Sequence, residues 1–277
     1  PPRGGVHRRS ASRGAAGLKM PEGDSIRRTA SRLRALAGEV IAAEAPHPRA
    51  AVLRVAERID GRRLERVEAV GKNLLLTFEG DLVLRSHLRM RGRWHVEPAG
   101  RAVAGLPWLV LRGRTRQAVL RHGPVLELGP PKLAALGPDI MADPPDLDGM
   151  LARFHSTDQE RELGEALLDQ RLVAGIGNVW RSEGLFLAAL SPWVRLGEVS
   201  EDDLRRVLAE TSAAMRSGSR RRLAYGRAPR PCVRCGTSLA VRRQGDDART
   251  AYWCPTCQPL PSRERDRSEG GTQRVGA

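Results

Sequence analysis

Four cysteines, Cys232, Cys235, Cys254 and Cys257, fall within one 26-residue stretch, and none of the 231 residues before them is a cysteine. A disulfide scaffold spreads its cysteines through the chain, so this clustering points to a metal site in a reducing compartment. The spacing is C-x2-C-x18-C-x2-C. Each C-x2-C turn presents two thiolates, and the intervening residues suffice for a β-hairpin that folds back. Four thiolates in tetrahedral array select zinc and close its coordination sphere, so the ion is expected to be structural. The stretch is short and polar, and its stability is expected to come largely from the metal. The spacing therefore predicts a zinc-held β-hairpin over residues 228–258.

The rest of the chain is strongly cationic, with a net charge of +15. Arginine-rich codon usage accounts for arginine over lysine but not for the excess over acid. Such a surplus calls for a polyanionic partner, most often nucleic acid. Residues 1–19 hold Arg3, Arg8, Arg9, Arg13 and Lys19 and no acid, and +10 remains without them. They lack the apolar stretch of a secretory signal and are expected to be disordered or to lie upstream of the true start at Met20. No run of 18 apolar residues occurs, so no membrane span is expected. The cysteines and the absence of a span make a cytoplasmic location the expectation.

At 277 residues the chain has room for two domains and a small third. Over residues 24–37, Ile26, Ala30, Leu33 and Ala37 recur at helical spacing, and Gly38 suits the helix end. Residues 39–127 read as short strands at 67–70, 73–78, 82–85, 94–96, 108–112, 118–121 and 125–128. Glu79-Gly80-Asp81 forms a tight turn between two of them. Regular short strands predict a sandwich or barrel. Prolines at 130–131 and 144–145 mark a change to helices at 148–154, 163–168, 179–189 and 200–215, the last with Ser200 and Asp203 in a capping pattern. The fold class is thus α+β and multidomain, with domains at 20–140, 147–225 and 228–258. The tail at 259–277 is expected to be disordered.

Several residues suit chemistry. Were Pro21 the first residue, its ring nitrogen would be a secondary amine with a pKa near about 8. Such an amine attacks a sugar aldehyde carbon and leaves an iminium, an electron sink. Glu22 beside it suits proton transfer, or serves simply as an acid at a helix start. Lys72 is one of three lysines against 44 arginines. An ammonium can release a proton or grip one phosphate, although a lone lysine also reads as ordinary surface. Residues 172–178, Leu-Val-Ala-Gly-Ile-Gly-Asn, join two helices. Their backbone N–H groups are expected to point outward to a phosphate, with Asn178 adding its amide, unless the glycines serve packing alone. Met90, between Arg89 and Arg91, is either a core residue or a wedge for a base stack. Arg242, Arg243 and Arg249 make the zinc hairpin basic, suited to a DNA backbone, although singly they read as a solvated face.

In this order, the Pro-Glu start, the lysine ahead of a strand, the glycine turn ending in Asn178 and the four-cysteine hairpin resemble the formamidopyrimidine-DNA glycosylase/endonuclease VIII family over residues 20–258. Met20-Pro21-Glu22-Gly23 resembles the endonuclease VIII branch. The resemblance implies an N-terminal β-sandwich with a flanking helix, a helix–two-turn–helix domain and a zinc hairpin, with damaged duplex DNA between the domains. It implies a bifunctional glycosylase and abasic-site lyase that removes oxidised bases, in this branch pyrimidines. Pro21 is then the Schiff-base nucleophile, Glu22 the general acid/base and Lys72 the lysine at the phosphate. Asn178 and Arg249 contact the DNA backbone, and Met90 fills the space of the flipped base. Ser25 stands where a second glutamate often lies, and residues 114–125 lack the Arg and Phe loop of the formamidopyrimidine branch. The alternative is a non-enzymatic zinc-containing DNA-binding protein of the same fold.

Overall fold

The computed structural model describes residues 21–260 apart from Lys132 and Arg220. The expectations for residues 1–20 and for the tail beyond 260 lie outside the described residues. Helix α1 (Gly23–Leu33) buries Ile26, Ala30 and Leu33 and turns Arg27, Arg28 and Arg32 to solvent. A 3-10 turn at Arg34–Leu36 follows, and Gly38 leaves it at φ +85.

Eight strands then build two antiparallel sheets. Strands β2 (Leu64–Val70), β3 (Asn73–Phe78), β4 (Leu82–His87) and β8 (Val125–Leu128) form one, in the order β2-β3-β4-β8. Strands β1 (Ala42–Glu44), β5 (Arg93–Pro98), β6 (Leu109–Arg112) and β7 (Arg116–Arg121) form the other, in the order β1-β6-β7-β5. Leu74, Leu76, Phe78 and Leu84 pack with Leu109, Leu111, Ala118 and Leu120 in a single core that α1 also enters. This is the sandwich, one of the two architectures the strand spacing leaves open and the one the resemblance implies. Glu79-Gly80-Asp81 turns β3 into β4 with positive φ at Gly80 and Asp81.

The segment expected to hold only strands also contains two short helices, α2 (Pro48–Ala51) and α3 (Val55–Ile59). Helix α2 buries only Ala50, so so short a piece leaves no periodic signal. Strand β1 is Ala-Ala-Glu and lacks the β-branched alternation by which strands are read.

The second domain contains α4 (Leu147–His155), α5 (Leu163–Ala166), α6 (Asn178–Leu187) and α7 (Glu201–Arg216). Asp146 caps α4 by accepting from the Gly149 N–H at 2.9 Å, and Ser200 caps α7 through Asp203 N–H at 3.1 Å. Phe154, Leu163, Leu167, Ile176, Leu185 and Leu208 lie in its core. Helices α6 and α7 cross at Gly184, where a methyl group would overlap Thr211 Oγ1. The chain ends in an antiparallel hairpin, β9 (Ala240–Gln244) with β10 (Arg249–Trp253), packed over Phe186, Ala224, Leu239 and two of the cysteines. Among the described residues no helix is long and apolar enough to cross a membrane.

Candidate active site and nucleic-acid interface

Two helix starts meet at Glu22. Its backbone N–H donates to Ser25 Oγ at 2.9 Å, and the Ser25 hydroxyl donates to the Glu22 carbonyl at 2.8 Å, closing the start of α1. Ser25, the position of the missing glutamate, is thus a capping residue. The Glu22 carboxylate reaches the other way, to the start of α6. It accepts from the N–H groups of Gly177 at 3.2 Å, Val179 at 2.8 Å and Trp180 at 3.1 Å. The approach needs glycine at 177, because a Cβ there would lie 2.5 Å from Glu22 Cδ. The glycine turn was expected to offer its N–H groups outward to a phosphate. In that turn the Gly177 N–H is instead taken by Glu22 and the Gly175 N–H by Gln170 Oε1, and Glu22 takes two more N–H groups just beyond it, since a helix N-terminus favours any nearby anion.

Glu22 is buried, and burial pushes its carboxyl above the ordinary range, against the pull of Lys72 and of the N–H groups of Val179 and Trp180. Pro21, half-buried, directly precedes it. Lys72 sits at the tip of the two-residue turn between β2 and β3, where Val70 pairs with Asn73 and Gly71 takes φ +56. Burial pulls its ammonium down to about 8; Glu22 opposes the shift and Arg249 adds to it. Glu22, Lys72 and Arg249 therefore share one electrostatic neighbourhood, although they come from the entry to α1, a sandwich turn and the hairpin.

Asn178 opens α6 and is buried. One of its amide hydrogens donates to the Thr250 carbonyl at 2.9 Å, tying α6 to the residue after Arg249. Its side-chain oxygen accepts from the buried Arg181, which also donates to Thr250 O at 2.8 Å and Gln244 Oε1 at 3.0 Å. Asn178 thus faces the hairpin, at the seam where the hairpin joins the glycine turn. Arg249 pairs with Asp247 at 3.6 Å.

Met90 is 48 % exposed in the turn between β4 and β5, as a wedge requires, and the core alternative is set aside. Gly92 closes that turn, since a Cβ there would meet the Leu88 carbonyl at 2.6 Å. Beside the turn, a concavity is lined by Lys72, Asn73, Arg85, His87 and Arg89. Burial, then Arg89, Arg85 and Lys72, bring His87 down to about 4. Its Nδ1 accepts from Arg89 N–H at 3.1 Å, which leaves the ring hydrogen on Nε2.

The four cysteine Sγ atoms lie within 4.8 Å of one another. Cys232 and Cys257 are 3.9 Å apart, and Cys235 and Cys254 are 3.5 Å apart. Four thiolates at zinc's bond length stand about 3.8 Å apart, so the cluster fits a tetrahedral ion of that size. Arg234, inside the first Cys pair, donates to the carbonyls of Phe186 at 2.7 Å and Leu187 at 2.9 Å, the C-terminal end of α6.

The sequence reading passed over Arg181, Glu183 and Gln244. Glu183 is buried and accepts from the N–H groups of Leu223, Ala224 and Tyr225 at 2.8–3.1 Å, fixing the strand of chain that leads into the hairpin. The i, i+3 spacing of Asn178 and Arg181 was the available signal. It was obscured because polar residues within a helix ordinarily mark a solvent face, whereas α6 is buried from Asn178 to Phe186.

Comparison with known proteins shows the family and the fold. The model of the formamidopyrimidine-DNA glycosylase N-terminal domain matches residues 20–125, and that of the formamidopyrimidine-DNA glycosylase H2TH domain matches residues 136–223. A probable endonuclease 8 2 of Streptomyces coelicolor is 39% identical over 268 residues, covering 88% of this chain and 95% of that one. The DNA-(apurinic or apyrimidinic site) lyase Nei2 of Mycolicibacterium smegmatis is 34% identical, covering 86% and 99%. The fold matches that of Lactococcus lactis Fpg (MutM), solved in complex with DNA containing N7-benzyl-Fapy-dG, at a TM-score of 0.72 and 22% identity, covering 86% of this chain and 98% of that one.

Proposed function

The chain belongs to the formamidopyrimidine-DNA glycosylase family of DNA-repair glycosylases and lyases, and we propose that it excises oxidised pyrimidines from duplex DNA and then cleaves the strand. The observation that carries this reading is the Glu22 carboxyl, buried on the start of α6 between Pro21 and the charge of Lys72. The preference for pyrimidines rests on the endonuclease VIII-like start at residues 20–23.

In a chain whose first residue is Pro21, the ring nitrogen bonds to C1′ as the bond from C1′ to the base breaks. The proton on that nitrogen passes to the departing base. Glu22, held toward its protonated form by burial, gives a proton to the sugar ring oxygen. The ring opens to an iminium and Glu22 becomes a carboxylate. That carboxylate takes a proton from C2′, and the electron pair expels the 3′ phosphate. A second elimination, in which water takes the C4′ proton, expels the 5′ phosphate, and hydrolysis of the iminium releases the sugar from Pro21. The Lys72 ammonium balances charge at the phosphate. Arg249 and Asn178 hold the backbone at the hairpin seam, and Met90 fills the place of the extruded base. The four cysteines hold one structural Zn2+ at the base of the hairpin, away from these steps. The acting unit is a monomer in the cytoplasm.

Borohydride trapping on an abasic-site duplex tests the reading. A chain starting at Pro21 is expected to give a covalent adduct, and a chain retaining residues 1–20 is expected to give none. Adducts from both chains would move the nucleophile to another amine, Lys72 first. No adduct from either would leave a protein that only binds DNA.

A further inference from the structure

We infer that Asp139 is a positioning residue for Lys72, tying the turn that carries the lysine to the helical domain. The inference rests on the reading of Lys72 given above. Asp139 lies on a strap between the two domains, and its backbone is fixed to the helical side. Gly137 N–H donates to Gln170 O at 2.8 Å, Ala174 N–H to Pro138 O at 2.9 Å, and Ile140 N–H to Ala174 O at 3.0 Å. The Ser212 hydroxyl on α7 donates to Ile140 O at 2.7 Å. The strap thus runs beside the glycine turn as a short parallel bridge, Asp139 to Ala174.

From this anchored position the two carboxylate oxygens divide their work. Oδ1 accepts from Met141 N–H at 2.9 Å, which fixes the side chain to its own strap. Oδ2 accepts from Gly71 N–H at 2.9 Å, across the domain junction. Gly71 is the residue before Lys72, at φ +56, and a Cβ on it would stand 3.0 Å from the Ala174 Cβ. The turn is therefore seated directly on the helical domain. Within the sandwich the tip is held by Asn73 Nδ2, which donates to Val70 O at 3.3 Å, and its ladder ends at the pair Val70 and Asn73; the Asp139 bond is the side-chain tie that reaches it from the helical domain.

Asp139 meets the turn at the Gly71 N–H and not at the lysine side chain, so it works through backbone position. Glu22 is held by the Gly177 N–H of the same glycine turn and by the N–H groups of Val179 and Trp180 just beyond it in α6. The acid and the lysine, both borne by the sandwich side, thus take their separation from one external reference. Removing the Asp139 tie frees the lysine and leaves the acid in place.

The test uses the chain beginning at Pro21, with Asp139→Ala and Asp139→Asn. Single-turnover cleavage of an abasic duplex is read beside the Kd for a duplex bearing an uncleavable tetrahydrofuran site. Displacing a catalytic group by about an ångström costs on the order of 100-fold, the loss expected for Asp139→Ala. Asp139→Asn keeps the volume and one acceptor oxygen and is expected to lose about 10-fold. Binding is expected to stay within about threefold in both, because the lost bond touches no DNA. Equal losses in rate and binding would overturn the inference, as would wild-type rates in both variants. Should Asp139→Ala fail to fold, Asp139→Asn carries the test. A wild-type chain that does not cleave overturns the glycosylase reading, and this inference with it.

Discussion

Lys72 is a side chain in the site whose charge changes near neutral pH. Its ammonium titrates at about 8, so it is charged below that value and neutral above it. In the proposed mechanism the Pro21 amine must be neutral to attack, so its loss of a proton at about 8 speeds the reaction, whereas the same loss at Lys72 removes a charge the reaction uses. Cleavage is therefore expected to rise with pH up to this region and then to fall as Lys72 loses its proton. A guanidinium does not deprotonate in this range. Lys72→Arg is expected to lower the peak rate and to abolish the alkaline decline while leaving the acid limb in place. A single-turnover pH–rate profile checks this, and an unchanged alkaline limb in Lys72→Arg would assign that limb to another group.

Among the elements, α6 brings the site together. Its start holds Glu22, its first turn holds Asn178 and Arg181 against the hairpin, and its end is covered by Arg234. Gly177→Ala would place a methyl 2.5 Å from Glu22 Cδ and push the carboxylate off the helix start. Loss of general acid/base catalysis costs about 10²–10⁴-fold, the range expected for base excision in this variant. Trapping on a preformed abasic site is expected to fall less, because the aldehyde is already open; comparing the two substrates checks it. Most elements were legible in sequence because their signals are local. Turn residues mark the hairpin at 79–81, helical spacing marks α1, and a capping serine marks α7. The cysteine spacing marked the four-thiol cluster for the same reason. The partners of α6 were not legible, since 155 residues separate Glu22 from Gly177 and periodicity identifies a buried face without naming what covers it. Strand β3 is buried along its whole length, so its alternation carried no direction either.

At the scale of the molecule, the hairpin is docked rather than free. Gln244 donates to Glu162 at 2.8 Å and Pro192 O at 2.7 Å, and Gln258 donates to Leu190 O at 2.7 Å. Chelating the metal is expected to loosen the hairpin, lower Tm and weaken DNA binding through Arg249, with recovery on adding Zn2+. Thermal melting and binding to a tetrahydrofuran duplex check this. Binding is also expected to fall steeply with salt, as befits a chain of net charge +15. The contact between Glu22 and Gly177 joins two domains that sequence alone would treat as separable modules. It bears on how such domains can be exchanged between lineages. A chimaera that grafts this sandwich onto a foreign helical domain inherits a seated acid only if the donor brings a bare glycine to the place of Gly177. The two residues are passed on as one trait, although they lie on opposite sides of the graft.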